Sequence, residues 1–229
     1  MTAASKRPGE LIQIAGVRNQ RDLDTLCGLS VPLIGFPLGL DVHDPDVGVA
    51  QAAALIERIP APTRGVLITY LSLAREIEAL AGRLGVDMVQ IHGAIEMPEL
   101  SALREAQPDW WLIRSLVVRD NEDELFRMID ETHDLVDAYI TDTFDPVSGA
   151  SGATGKVHDW SVSRRLVEHS PHPVILAGGL DPDNVEQAIH TVMPAGVDAH
   201  TGVENSEGDK DPEKVRLFVE RARRALGQL

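Results

Sequence analysis

Eight short apolar runs recur along this chain, and longer amphipathic stretches separate them. The runs are Leu11–Ile14, Pro32–Phe36, Gly65–Thr69, Met88–Ile91, Trp111–Val118, Ala138–Thr141, Val174–Ala177 and Val197–Ala199. They are short, apolar and often β-branched, as strands buried on both faces must be. Helical spacing of apolar residues marks Asp46–Ile59, Ser72–Leu84, Glu122–Ile129, Pro182–Val192 and Asp211–Leu226. Ser72 and Asp211 are predicted N-caps, with Pro212 at a first helical position. Strand–helix alternation implies a parallel sheet. Eight such units in 229 residues fit an α/β fold made of a single (β/α)8 TIM barrel. An open doubly wound sheet fits less well, because no G-x-G-x-x-G opens any of the helices.

The predicted organisation is a disordered lead-in over 1–10 and one barrel domain over 11–229. No linker or low-complexity run interrupts it, and 43% hydrophobic content suffices for one large core. No run of 18 apolar residues is present, so no membrane span is expected. The first residues lack the apolar stretch of a secretory signal. The single cysteine, Cys27, excludes an intramolecular disulfide and a multi-cysteine metal site. A cytoplasmic location is the default expectation. A net charge of −15 argues against broad nucleic-acid binding.

The stretch Val174 to Val185 reads as a strand, a Gly178-Gly179 turn and a helix start, with Asp181 as N-cap and Pro182 at the first helical position. Glycines let backbone approach a ligand closely, and helix N-termini favour anions such as phosphate. An ordinary strand-to-helix turn has the same pattern. The next strand ends in His200-Thr201-Gly202, again a small hydroxyl residue and a glycine. Two successive strand ends of this kind suit a phosphate held between the last two strands of a barrel.

Five segments carry a more specific resemblance. They are Ile14-Ala15-Gly16-Val17-Arg18, Val89-Gln90-Ile91-His92-Gly93, Gly152 to Trp160 (with Gly155 inside it), Ile175 to Val185, and Gly202-Val203-Glu204 followed by Lys210-Asp211-Pro212-Glu213-Lys214. In this order and spacing the chain resembles the phosphoribosylanthranilate isomerase family from about Ile12 to Ala222. That resemblance implies an Amadori rearrangement in tryptophan biosynthesis: an aminoaldose phosphate becomes an aminoketose. A general acid opens the furanose ring and a general base takes the proton from sugar C2. It also implies no metal or organic cofactor, a phosphosugar as the small-molecule partner, and a monomer or homodimer.

The family's acid falls on Asp142, which ends the sixth strand; capping of the following loop is its other reading. The family's base is a cysteine in a Lys-x-Cys-Gly pattern, and here Gln13-Ile14-Ala15-Gly16 stands there. Ala15 cannot accept a proton. Cys27 does not replace it, because it falls near the end of the first helix, where a small buried thiol is the usual reading. The family's arginine after the second strand, which meets the anthranilate carboxylate, is also missing. The segment Phe36–Asp46 instead holds Asp41, His43, Asp44 and Asp46. An acidic loop repels a carboxylate, so an altered aglycone is expected; a solvated surface loop is the alternative.

His200, His43 and Asp41 are the candidates to supply the base, beside Asp142 as acid. His200 can instead add charge to a phosphate contact. The predicted substrate and phosphate contacts are Gly178, Gly179, Thr201, Gly202, Gly155, Asp198, His92, Gln90 and Arg114. Arg114, inside a strand, needs a carboxylate partner, and Asp142 or Asp198 could serve in a structural ion pair. Two other functions stay open: a phosphosugar lyase or hydrolase, with a divalent metal on Asp41, His43, His92, Asp142 and His200, and a non-catalytic phosphosugar-binding barrel.

Overall fold

The computed structural model describes residues 8–39, 47–119, 121–143 and 159–228. Its strands are β1 (Leu11–Ala15), β2 (Leu33–Leu38), β3 (Arg64–Thr69), β4 (Met88–Ile91), β5 (Trp111–Val118), β6 (Ala138–Thr143), β7 (Val174–Leu176) and β8 (Gly196–Ala199). They are parallel and close in sequence order, with β8 pairing back onto β1. The helices are α1 (Gln20–Gly28), α2 (Val49–Ile56), α3 (Ala74–Leu84), α4 (Met97–Ala106), α5 (Glu122–Thr132), α6 (Trp160–His169), α7 (Val185–Val192) and α8 (Pro212–Leu226). This is the (β/α)8 barrel expected from the alternation. No described helix is long and apolar enough to cross a membrane.

Side-chain alternation along the strands divides the core in two. One face of each strand packs on the helices, as Ile12, Ile34, Phe36, Leu67 and Val89 pack with Leu23, Leu26, Ile77 and Leu103. The other face fills the barrel. Its lower layers are apolar, built from Leu11, Leu33, Val66, Met88, Ile113, Ile140 and Ile175. Each such side chain contributes about 1.5–3 kcal/mol on burial. Toward the C-terminal ends of the strands the same inward positions turn polar. There Gln13, Gln90, Ser115 and Asp142 are buried, and that change of chemistry marks the working face.

Several boundaries differ from those expected. β2 runs past Pro37, although proline normally ends a buried strand. Gly35 accepts from Gly16 on the β1 side, and β1 ends opposite Gly35. Two residues on, Pro37 points to that vacated side, so its missing N–H forfeits no ladder bond. α3 begins at Ala74 with Leu73 as N-cap, not Ser72; Glu99 accepts from the Ala74 N–H instead. α7 begins at Val185, after Asn184. Asp181 caps the turn before it, where its Oδ1 accepts from the N–H groups of Asp183 and Asn184. α2 starts at Val49; residues 40–46, which include its expected first residue, lie outside the described ones. The α8 cap stands as expected, with Asp211 accepting from Glu213 and Lys214 N–H. Of the expected lead-in, residues 1–7 lie outside the described ones, Pro8 is buried, and Glu10 pairs with Arg223.

Candidate active site

Five strand ends bring polar side chains into one hydrogen-bonded chain across the barrel. Gln13 Nε2 on β1 donates to Gln90 Oε1 on β4 at 2.8 Å and to Asp198 Oδ1 on β8 at 3.0 Å. Gln90 Nε2 lies 2.5 Å from His92 Nε2, just beyond β4. An amide nitrogen only donates, so His92 Nε2 accepts and its hydrogen sits on Nδ1. From there it reaches Asp142 Oδ2 on β6 at 3.0 Å, with Ser115 Oγ of β5 3.3 Å from the same nitrogen. Thr143 N–H donates to Asp142 Oδ1 at 2.8 Å. The predicted residues Gln90, His92, Asp142 and Asp198 are thus brought together.

The same cluster contains residues that the sequence reading passed over. Gln13 and Ser115 join the chain directly. Tyr70, just after β3, lies against His92 with ring centroids 5.4 Å apart and planes 33° apart. Burial, and then the charge of Asp142, push the Tyr70 phenol up. Gln13 offered a usable signal: it is polar at an inward position between Leu11 and Ala15.

Electrostatics separate Asp198 of β8 from His200 just beyond it. The Asp198 carboxyl is pushed up to about 6, chiefly by burial and further by Asp142; Gln13, His92 and Lys210 act against that rise. His200 is held down at about 3, by burial first and by the Lys210 cation second. Its imidazole covers Gly16, where an added Cβ would overlap the ring. Lys210 Nζ bonds Glu204 Oε1 at 2.7 Å and His200 O at 3.2 Å. His200 is therefore neutral at physiological pH. Burial and the Lys210 cation both act against the positive charge expected of His200 at a phosphate contact and make the ring a weak proton acceptor, with Glu204 Oε1 3.5 Å from its Nε2.

The glycine turns adopt the tight backbone that their sequence implies, with one change at the helix entrance. Gly178 and Gly179 take φ of 103° and 64°, which only glycine adopts without strain. Thr201–Val203 form a 3-10 turn, and Gly202 packs so closely on Leu180 O that a Cβ would clash. The turns after β7 and β8 are thereby held side by side. The Thr201 turn lies on this seam. The α7 entrance contributes less than expected, because Asp181 already takes the amides of Asp183 and Asn184.

Arg114 departs from its predicted role. Its neighbour Ser115 reaches His92 in the barrel, so Arg114 points to the helix side. Its register partner Tyr139 faces the same way and bonds Thr132 and Ile129 of α5. Arg114 donates to Gly93 O at 2.8 Å, while its Nε has no partner. The expected ion pair with Asp142 or Asp198 is not formed, since both of those face the interior. Cys27 sits at the far end of α1, away from the site and half-buried, with its thiol pushed up by burial and Asp24. Asp41, His43 and Gly155 lie outside the described residues. Among the described residues no three His, Cys, Asp or Glu side chains gather as a metal site.

Comparison with known proteins agrees with this geometry. The family model described as N-(5'phosphoribosyl)anthranilate (PRA) isomerase matches residues 40–221. N-(5'-phosphoribosyl)anthranilate isomerase 2 of Methanosarcina mazei is 35% identical, over 93% of this chain and 93% of that protein. The enzyme of that name from Haloferax volcanii is 36% identical, over 94% of each. The crystal structure of phosphoribosyl anthranilate isomerase from Thermotoga maritima superposes with a TM-score of 0.79 at 24% identity, covering 93% of this chain and 98% of that one. The match over most of the chain, with identity above 30% along nearly its whole length, places this protein in the N-(5'-phosphoribosyl)anthranilate isomerase family.

Proposed function

We propose that this chain catalyses the family's aldose–ketose isomerisation, an Amadori rearrangement of a phosphoribosyl amine in tryptophan biosynthesis. The observation that carries this reading is the His92–Asp142 pair at the ends of β4 and β6, beside the paired glycine turns of β7 and β8. The turns hold the phosphate through backbone N–H groups of Gly178, Gly179, Thr201 and Gly202. That anchors one end of the sugar and lays the ring across the polar floor. The Asp142–His92 pair holds the proton that goes to the ring oxygen as the C1–O bond breaks. Tyr70 forms one wall of the space above His92.

The aglycone side has changed. The segment Phe36–Asp46 holds no lysine or arginine and three aspartates. We assign to it a preference for an arylamine without a carboxylate, because unpaired like charge opposes binding. The test is turnover of freshly generated phosphoribosylanthranilate, followed by loss of its fluorescence, beside the phosphoribosyl derivative of unsubstituted aniline. Turnover of either at ordinary enzyme rates is expected, with the lower KM for the aniline compound. Failure of both substrates overturns the reading; a lower KM for the anthranilate compound removes only the aglycone part.

A further inference from the structure

The family resemblance puts a proton acceptor at the end of β1, where this chain has the methyl group of Ala15. We propose that Asp198 is the proton acceptor in this chain and takes the sugar C2 proton in place of the side chain missing at Ala15. The proposal rests on the isomerase reading above and deepens it.

Geometry singles out Asp198. β8 is the ladder neighbour of β1, and Gln13 pairs in register with Asp198. The next inward position of β1 is Ala15 itself, so Asp198 lies one layer below the vacated position, on the adjoining strand. Among the described residues, Asp198 receives one side-chain hydrogen bond, from Gln13 Nε2 to Oδ1. Asp198 is half-buried as a residue, and Asp142 is 3% exposed. One carboxylate on β8 and one on β6 then face the bound sugar from different strands, as a base and an acid on one substrate must. The Gln13–Gln90–His92 chain fixes the spacing between them. The raised carboxyl of Asp198 makes it a better acceptor near neutral pH than an ordinary aspartate. His200, whose ring covers Gly16, the residue after Ala15, is far weaker. Among the described residues, the charged or titratable groups that act on Asp198 are His92, Asp142 and Lys210.

The step balances without a co-reactant. The ring oxygen gains a proton as C1–O breaks and the nitrogen lone pair forms C1=N⁺. Asp198 removes the C2 proton. The C–H electron pair forms C1=C2, and the C1=N electrons return to nitrogen. Proton return to C1 and loss of the C2 hydroxyl proton then give the ketose.

The experiment compares wild type, Asp198→Asn and Asp198→Asn with Ala15→Cys, using phosphoribosylanthranilate and the aniline derivative. Asparagine keeps the acceptor for Gln13. Asp198→Asn should lower kcat about 10²- to 10⁴-fold, with inhibition by inorganic phosphate unchanged. Adding Ala15→Cys should regain at least about tenfold and move the acidic limb of the kcat–pH profile toward the thiol range, near pH 8. A merely structural role for Asp198 predicts neither the rescue nor the moved limb. If Asp198→Asn fails to fold, Asp198→Ser replaces it in the same comparison. Activity of Asp198→Asn within about tenfold of wild type, or no gain from the cysteine, overturns the proposal while the isomerase reading stands. No wild-type turnover of either substrate overturns both.

Discussion

His92 Nδ1 and Asp142 Oδ2 stand 3.0 Å apart across the mouth of the barrel, with side-chain exposures of 9% and 5%. β5 runs between their strands, so the pair bridges over Ser115, whose hydroxyl closes the group from below. His92 and the Thr143 N–H hold this enclosed carboxyl group in one orientation. The imidazole in turn is oriented by Gln90. The acid is therefore positioned by a β4 residue that need not touch the reacting bond.

Replacing each member of the pair should separate these roles. Asp142→Asn removes the proton donor and should lower kcat about 10²- to 10⁴-fold with KM little changed. His92→Leu leaves the carboxylate without its orienting donor, and a smaller loss of kcat is expected. Steady-state kinetics on the better of the two substrates reads both. A larger effect from His92→Leu than from Asp142→Asn would make the imidazole the donor.

The seam between the β7 and β8 turns depends on Gly202. A Cβ there would clash with Leu180 O, and backbone cannot yield as a side-chain end can. Gly202→Ala should push the turns apart and cost about 1–3 kcal/mol. Inhibition by inorganic phosphate should weaken with it. Urea unfolding and the phosphate Ki check the two effects; a stable variant with unchanged Ki would remove Gly202 from the cradle.

Local patterns carried the fold further than the site. The bounds of β4 and β5 match the apolar runs to the residue, because strands buried on both faces declare themselves by composition. The entrance to α7 did not: Asp181-Pro182 has cap chemistry, yet the chain spends it on a turn and Asn184 starts the helix. Asp142 was legible as a polar residue ending an apolar strand. Its partner was not, since His92 lies 50 positions away and only barrel closure joins them. Arg114 failed for a simpler reason. Strand alternation, applied from Ser115 inward, already turns it to the helices.

Asp198 of β8 and His200 just beyond it should leave opposite marks on stability against pH. In the folded chain His200 titrates at about 3, below its ordinary 6.5. The unfolded chain therefore binds more protons as pH falls below 6.5, and stability is lost down toward pH 3. Asp198 titrates at about 6 when folded, above its ordinary 3.8. Its contribution is present below pH 3.8 and is lost as pH rises through 6. His200→Asn removes the first effect alone. Its stability relative to wild type, from urea unfolding, should rise between about pH 7 and pH 4. A difference that stays flat would show that His200 titrates near its ordinary value.

Lys210 clasps the loop after β8 through Glu204 and ties it to α1 through its backbone. Lys210 Nζ is fully buried, 2.7 Å from a carboxylate that is itself only 16% exposed. Its backbone N–H donates to Asp22 Oδ1 at 2.9 Å, on α1. Desolvating two charges is costly, so the pair itself adds little net stability, but removing Lys210 leaves the Glu204 carboxylate buried without its cation, 3.5 Å from the His200 imidazole. Lys210→Met should therefore destabilise by about 3–5 kcal/mol. Adding Glu204→Leu to that variant should restore part of the loss by removing the stranded carboxylate. The cation also depresses His200, so Lys210→Met should raise the imidazole pKa seen by NMR. A loss under about 1 kcal/mol, the range of an exposed pair, would mean that the ammonium reaches water and that burial alone sets the state of His200.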